Sequence, residues 1–366
     1  MEPDMSRNLI PLSVAATLLG GTALADVPRV AVDIAPVHSL VARVMQGVGA
    51  PSLIVAPGAS PHDYSLRPSE AAALQEADLV FWIGPELTPW LESAIETLAG
   101  GAAVTEMLEV DGTTELPFRE GASFEVHDHG DEDHADEDHK DHADGEDQDD
   151  HGHDEHAKET GHDDHGHDKH AKSDDHDDHK DHAEEGGHAG HDHGAHDPHA
   201  WLSPENGAVW LNAIAAQLSA ADPDNAGAYF ANAAAGRDEL TALSAEINGI
   251  LEPVRGRNFI VFHDAYQYFE TAFAFPASGA ISLSDAARPS PARIAEIQER
   301  VAEQAISCVL SEPQFDPGIV ATVMDGTEAR SGVLDPLGSD QEPGPALYGN
   351  VLRNLATALA DCLQTP

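Results

Sequence analysis

Three histidines stand in short turns bounded by proline and aspartate, where an imidazole can be held and offered to a metal ion. His62 lies in Gly58-Ala59-Ser60-Pro61-His62-Asp63-Tyr64, His199 in Asp197-Pro198-His199-Ala200-Trp201, and His263 in Phe262-His263-Asp264-Ala265-Tyr266. Three imidazoles with a carboxylate or a water satisfy a four-coordinate zinc ion. Asp335, in Leu334-Asp335-Pro336, offers such a carboxylate. Asp63 and Asp264, each next to a histidine, could instead orient the rings from behind. Any one of these histidines reads more readily as a hydrogen-bonded, half-buried ring. Three of them in similar turns move the reading towards a metal site.

A second supply of donors is far denser. Between His127 and His199 lie 20 of the 23 histidines, with 28 Asp and Glu, 5 Lys and no Leu, Ile, Val, Phe or Met. Such a stretch cannot bury apolar surface to offset the entropy of ordering, so disorder is expected. Its imidazole and carboxylate groups suit zinc, copper and nickel. The accessory donors are His127, His129, His134, His139, His142, His151, His153, His156, His162, His165, His167, His170, His176, His179, His182, His188, His191, His193 and His196. A solvated acidic linker is the plain alternative. The histidine density favours several weak, exchangeable zinc sites, each opposed by the cost of ordering the chain.

The formal charge of −48 argues against nucleic acid and anionic membrane as partners and concentrates cations near the chain. Arg7, the apolar run Leu9 to Leu19 and Ala23-Leu24-Ala25 read as an export signal over residues 1–25, with Met5 an alternative start. That run is too short to span a membrane. Without signal and insertion, roughly 270 residues remain, enough for two domains. Cys308 and Cys362 are the two cysteines. An exported compartment permits a disulfide between them, and a thiolate metal site is disfavoured because they lack CxxC spacing.

Short β-rich runs alternate with amphipathic stretches. Strands are expected at Val30–Ile34, Leu53–Val55, Leu79–Ile83 and Ala102–Thr105, with helices at Pro36–Met45, Ser69–Ala77 and Pro89–Leu98 between them. Ser203-Pro204 opens a helix to about Leu218, and Asp222-Pro223 opens a long one to Leu251. The alternation then repeats: strands at Phe259–Phe262, Gly279–Leu283, Ile306–Leu310 and Gly332–Leu334, and helices at Ala265–Phe273, Pro291–Gln304, Pro317–Met324 and Leu347–Leu363. This pattern implies an α/β protein with mostly parallel sheets covered on both faces. The long helix between similar halves reads as a stiff connector. His62, His263 and Asp335 all follow strands, where ligands gather in parallel sheets.

Ala59-Ser60-Pro61-His62-Asp63-Tyr64-Ser65-Leu66-Arg67-Pro68-Ser69 resembles the first ligand motif of zinc-binding periplasmic proteins that serve ABC importers. His199-Ala200-Trp201-Leu202-Ser203-Pro204 resembles the second, and Phe262-His263-Asp264-Ala265-Tyr266 the third. Glu312-Pro313-Gln314-Phe315 and Leu334-Asp335-Pro336-Leu337-Gly338 resemble the later blocks, in the same order. The resemblance spans nearly the whole mature chain, the acidic His-rich insertion and both cysteines included.

It implies two Rossmann-like lobes joined by a long rigid helix, with metal in the cleft between them. Residues 26–221 would form the first lobe with its insertion at 127–196, 222–251 the linking helix, and 252–366 the second lobe. His62, His199 and His263 carry over as zinc ligands, with Asp335 or water as the fourth. Cys308 and Cys362 carry over as a disulfide. Pro61 stands where some zinc-type members have a glutamate ligand. Manganese-type relatives place a carboxylate where His263 stands, and imidazole suits zinc better. The implied partners are an ABC permease and its ATPase, with the protein a monomer in the periplasm, not an enzyme, and open to supply by a zinc chaperone. A zinc buffer or adhesin, and a zinc hydrolase, are the competing readings. Trp82, Trp90, Trp201 and Trp210 read as core or cleft-wall aromatics. Arg67 and Glu312 read as an ordinary ion pair or as supports behind the ligands.

Overall fold

Alternating side chains along the buried strands divide the interior into three cores. Val30, Val32, Leu79 and Phe81 face one core while Ala31, Val80 and Trp82 face another. In the second half, Phe259, Val261, Cys308 and Leu310 join the first core and Ile260, Phe262 and Val309 a third. This period of two is what parallel strands buried on both faces require. The computed structural model describes residues 27–119, 124, 196–282 and 289–364, all within one compact unit. The export signal and the insertion histidines from His127 to His193 lie outside the described residues.

The first sheet contains β1 (Val30–Val32), β2 (Ser52–Leu53), β3 (Leu79–Trp82) and β4 (Ala103–Glu106), in the order β2-β1-β3-β4. Helices α1 (Ala35–Val44), α2 (Pro68–Glu76) and α3 (Pro89–Leu98) connect them. After the insertion come α4 (Pro204–Ala221) and α5 (Ala226–Leu251). The second sheet contains β5 (Phe259–His263), β6 (Ala280–Ser282), β7 (Cys308–Ser311) and β8 (Arg330–Val333), in the order β6-β5-β7-β8. Its helices are α6 (Gln267–Phe273), α7 (Pro291–Glu303) and α8 (Pro317–Met324), and α9 (Leu347–Leu363) closes the chain. Every strand pair in both sheets is parallel. The two lobes therefore share one winding.

Helix starts follow local chemistry. Ser203 accepts the amide of Asn206 ahead of α4, Ser290 that of Arg293 ahead of α7, and Asp316 that of Gly318 ahead of α8, each with proline in the first turn. The long helix differs from its expected form at one end. Pro223–Asn225 makes a separate 3₁₀ turn, and the α-helix of 26 residues begins after it. Asp222 draws this joint together by accepting from Asn225 and from the Tyr229 hydroxyl.

Nor is α5 a bare strut. Tyr229, Ala233, Gly236, Leu240, Leu243, Ile247 and Leu251 form a buried stripe at helical spacing. It packs with α1, α4 and α9 in the core that also takes side chains from both sheets. The Cys308–Cys362 disulfide joins β7 to α9. Among the described residues no helix is long and apolar enough to cross a membrane.

Candidate metal centre

The strands place the first histidine through a turn and the third directly. His263 is the last residue of β5. His62 follows β2 in a turn entered through Gly58, whose φ of +81° favours glycine. Trp90 at the start of α3 donates to the Pro61 carbonyl at 2.7 Å, which fixes that turn to the first lobe. Tyr64 packs on Trp90 and donates to Glu70 at 2.8 Å. His199 precedes a 3₁₀ turn, Ala200–Leu202, that leads into α4.

These three residues converge. One nitrogen from each of His62, His199 and His263 lies within 4.8 Å of the other two. Ring centroids are 5.5 Å apart for His62 and His199, 6.4 Å for His62 and His263, and 5.3 Å for His199 and His263. A tetrahedral zinc with ordinary zinc–nitrogen bonds would bring the nitrogens to roughly 3.4 Å from one another. A modest contraction of the cluster therefore closes it around an ion. The pocket that the rings share is small, about 20 Å³. It suits an ion with a water rather than an organic substrate, which tells against a hydrolase.

Buried carboxylates stand behind two rings. Asp197 Oδ1 lies 2.6 Å from His199 Nδ1 and accepts the His199 amide at 3.0 Å. Glu312 Oε1 lies 2.6 Å from His263 Nδ1. Donation of Nδ1–H to each carboxylate leaves the neutral ring's lone pair on Nε2, the atom for a metal. Burial pushes Asp197 up to about 7, while the His199 amide and the Arg119 charge pull it down.

The orienting acids are not the ones adjacent in sequence. Asp63 is exposed. Asp264 instead accepts Arg119 Nε at 3.0 Å, and Arg119 also donates to Glu270 at 2.8 Å. In extended chain a neighbour at i+1 points away from the ring, whereas Asp197 reaches forward from i−2 and Glu312 crosses from the residue after β7. The Asp197-Pro198-His199 turn carried a signal for the first of these. Glu312 was open in the sequence between an ordinary ion pair and a support behind the ligands, and its partner His263 is fixed only once β5 and β7 are paired. Arg119, at the near edge of the insertion, had no such signal.

Asp335 is not brought into the histidine cluster. Its carboxylate accepts the amides of Leu337, Gly338 and Ser339 and the Ser339 hydroxyl, at 2.6–3.1 Å. That set holds the turn after β8. His196 lies beside Glu115, with Nδ1 3.0 Å from its carboxylate, and its backbone bridges to Pro117. His38 is the ordinary buried histidine: it bonds the Pro51 carbonyl at 3.2 Å, and burial lowers its pKa. Trp201 is a cleft-wall residue that donates to Pro336, while Trp210 and Trp82 are core. Arg67 reaches only Glu70, at 3.9 Å.

Two parallel-sheet lobes that present three converging imidazoles to a pocket of single-ion size define a metal-binding protein of the two-lobed solute-binding class. The family model for the periplasmic zinc-uptake complex component A, ZnuA, matches residues 30–362, and the chain belongs to that family. It is 46% identical to the high-affinity zinc uptake system protein ZnuA of Brucella abortus (strain 2308), over 98% of this chain and 99% of the relative. Identity to the protein of that name in Paracoccus denitrificans is also 46%, over 96% and 97% of the two chains. A crystal structure of ZnuA superposes with a TM-score of 0.65 at 21% identity, covering 93% of this chain and all of the other. That last likeness speaks for the fold.

Proposed function

We propose that this protein captures zinc in the periplasm and delivers it to the permease and ATPase of an ABC importer, as a binding protein without a catalytic step. The observation that carries the reading is the convergence of His62, His199 and His263 on one small pocket. Two further features support it: carboxylates behind His199 and His263, and membership of a zinc-uptake family. Imidazole donors favour zinc over manganese, which prefers oxygen. Zinc is the cargo. The three histidines are its ligands, and a water completes the tetrahedron in preference to Asp335, whose oxygens are engaged by four donors of its own turn.

On this reading residues 1–25 direct export, 26–221 and 252–366 form the two lobes, and 222–251 links them. The chain acts as a monomer and can receive zinc from a chaperone. The insertion histidines gather zinc weakly. Their reference pKa of about 6.5 means that protonation releases this metal as pH falls below that value.

Calorimetric titration with zinc and with manganese tests the proposal on three proteins: the intact mature chain, a form lacking residues 127–196, and His263→Ala. One tight zinc site is expected to survive the deletion while weaker sites disappear, and His263→Ala should lose the tight site. Tight binding that vanishes with the insertion would make the protein a buffer.

A further inference from the structure

Gln314 lines the same pocket as the three histidines. It sits in a turn fixed by Pro313, in which the Phe315 amide donates to the Glu312 carbonyl at 3.2 Å. Both neighbours bear on the site. Glu312 holds His263, and Phe315 stacks on Phe262 at 4.4 Å and meets the His263 ring edge-on at 5.5 Å. The backbone that aims Gln314 is thus the backbone that supports one of the proposed ligands.

Its side chain is unlike the others around the pocket. Both the amide oxygen and the amide nitrogen are buried, and neither meets a hydrogen-bond partner among the described residues. Buried polar groups are nearly always paired, because leaving one unpaired forfeits the hydration it had in the unfolded chain. Asp335, by contrast, has both carboxylate oxygens engaged. Gln314 is therefore a polar side chain at this pocket with hydrogen-bonding capacity left for what the pocket holds.

We propose that Gln314 is a positioning residue for the fourth coordination position, its amide oxygen accepting a hydrogen bond from a water bound to the metal opposite the three imidazoles. This rests on the zinc-site reading above. A coordinated water donates, so the acceptor end of the amide is selected. The amide is neutral, so it holds the water without becoming an anionic ligand. A carboxylate in its place would compete for the metal directly and suit manganese better. The neutral amide thus contributes to selectivity for zinc.

Cobalt(II) replaces zinc as a visible probe in the full-length protein, compared as wild type, Gln314→Met and Gln314→Glu, with thermal melts to confirm folding. The wild type should show intense bands of a four-coordinate site. Gln314→Met, similar in size but without an acceptor, should shift the bands and weaken zinc binding about tenfold, as loss of a supporting hydrogen bond at a metal site does. Gln314→Glu should shift them differently and narrow the preference for zinc over manganese. If Gln314→Met folds poorly, the Gln314→Glu spectrum and metal preference decide alone. Wild-type bands left unchanged by the folded variants, with unchanged zinc affinity and selectivity, overturn the role of Gln314 alone. Absence of four-coordinate bands in the wild type overturns the three-histidine reading and this inference with it.

Discussion

An imidazole binds metal well only when its ring is held and its tautomer is set, and this chain does both with carboxylates remote from the expected ones. Asp197 and Glu312 are each 2.6 Å from a ring nitrogen. Removing such a partner frees the ring to rotate and lowers its basicity. Asp197→Ala and Glu312→Ala are each expected to weaken zinc binding about 10- to 100-fold, measured by competition with a chromophoric chelator. Affinities within twofold of wild type would mean that packing alone holds the rings. The three histidines were legible because each interrupts a patterned stretch in a Pro- or Asp-marked turn. Their supports were legible only in part: Glu312 stood out as a possible support, but its partner His263 lies 49 positions away. Asp335, read from the sequence as an alternative to water for the fourth position, bonds within its own turn. Its place after a strand is right for a ligand, but an aspartate followed by Pro-Leu-Gly-Ser is also well placed to cap its own turn, and here it does.

At the scale of elements, strands and helices were readable from period and punctuation, with strand ends displaced by a residue or two where strand pairing rather than hydropathy sets the boundary, and α4 running to Ala221 past its expected end near Leu218. Close packing between elements was not readable. Gly207, in the first turn of α4, shows why. A β-carbon there would stand 2.5 Å from the Tyr348 hydroxyl, which donates towards the carbonyls of Trp201 and Ser203 and so ties α9 to the His199 turn. Gly207→Ala is expected to destabilise the fold by about 1–3 kcal/mol through overpacking, seen as a lower midpoint in chemical denaturation. An unchanged midpoint would mean that α9 can yield. The disulfide acts between elements in another way. Closing a loop across 54 positions restricts the unfolded chain, and Cys308→Ser with Cys362→Ser is expected to cost about 4 kcal/mol on the chain-entropy model. Melts of oxidised and double-variant protein would check it.

Beside the total charge of −48, acids shielded from water tie stability to pH. Asp33 directly follows β1 and accepts the amides of Ile34 and Ile83 at 2.7 Å each. Burial pushes it up to about 7, against those two donors. Glu106 is also pushed up to about 7, by burial and then by Glu86, Glu109 and Glu92. An acid whose pKa is raised on folding stabilises fully below its unfolded value, near 4, and that contribution fades as pH rises towards 7. His38 works in the opposite sense. Burial lowers its pKa, so its contribution is present above about 6.5, the unfolded value, and is lost as pH falls below it. The two trends overlap between pH 5 and 7, so a bare melting curve against pH would mix them. Comparison with Asp33→Asn separates them, since the variant keeps His38 and Glu106 and removes one titration. The melting temperature of metal-free wild type minus that of Asp33→Asn is expected to shrink steadily from about pH 4 to pH 7 and to level off above. A difference independent of pH over that range would mean that Asp33 ionises in the folded protein as it does in the open chain. The two backbone donors would then balance its burial.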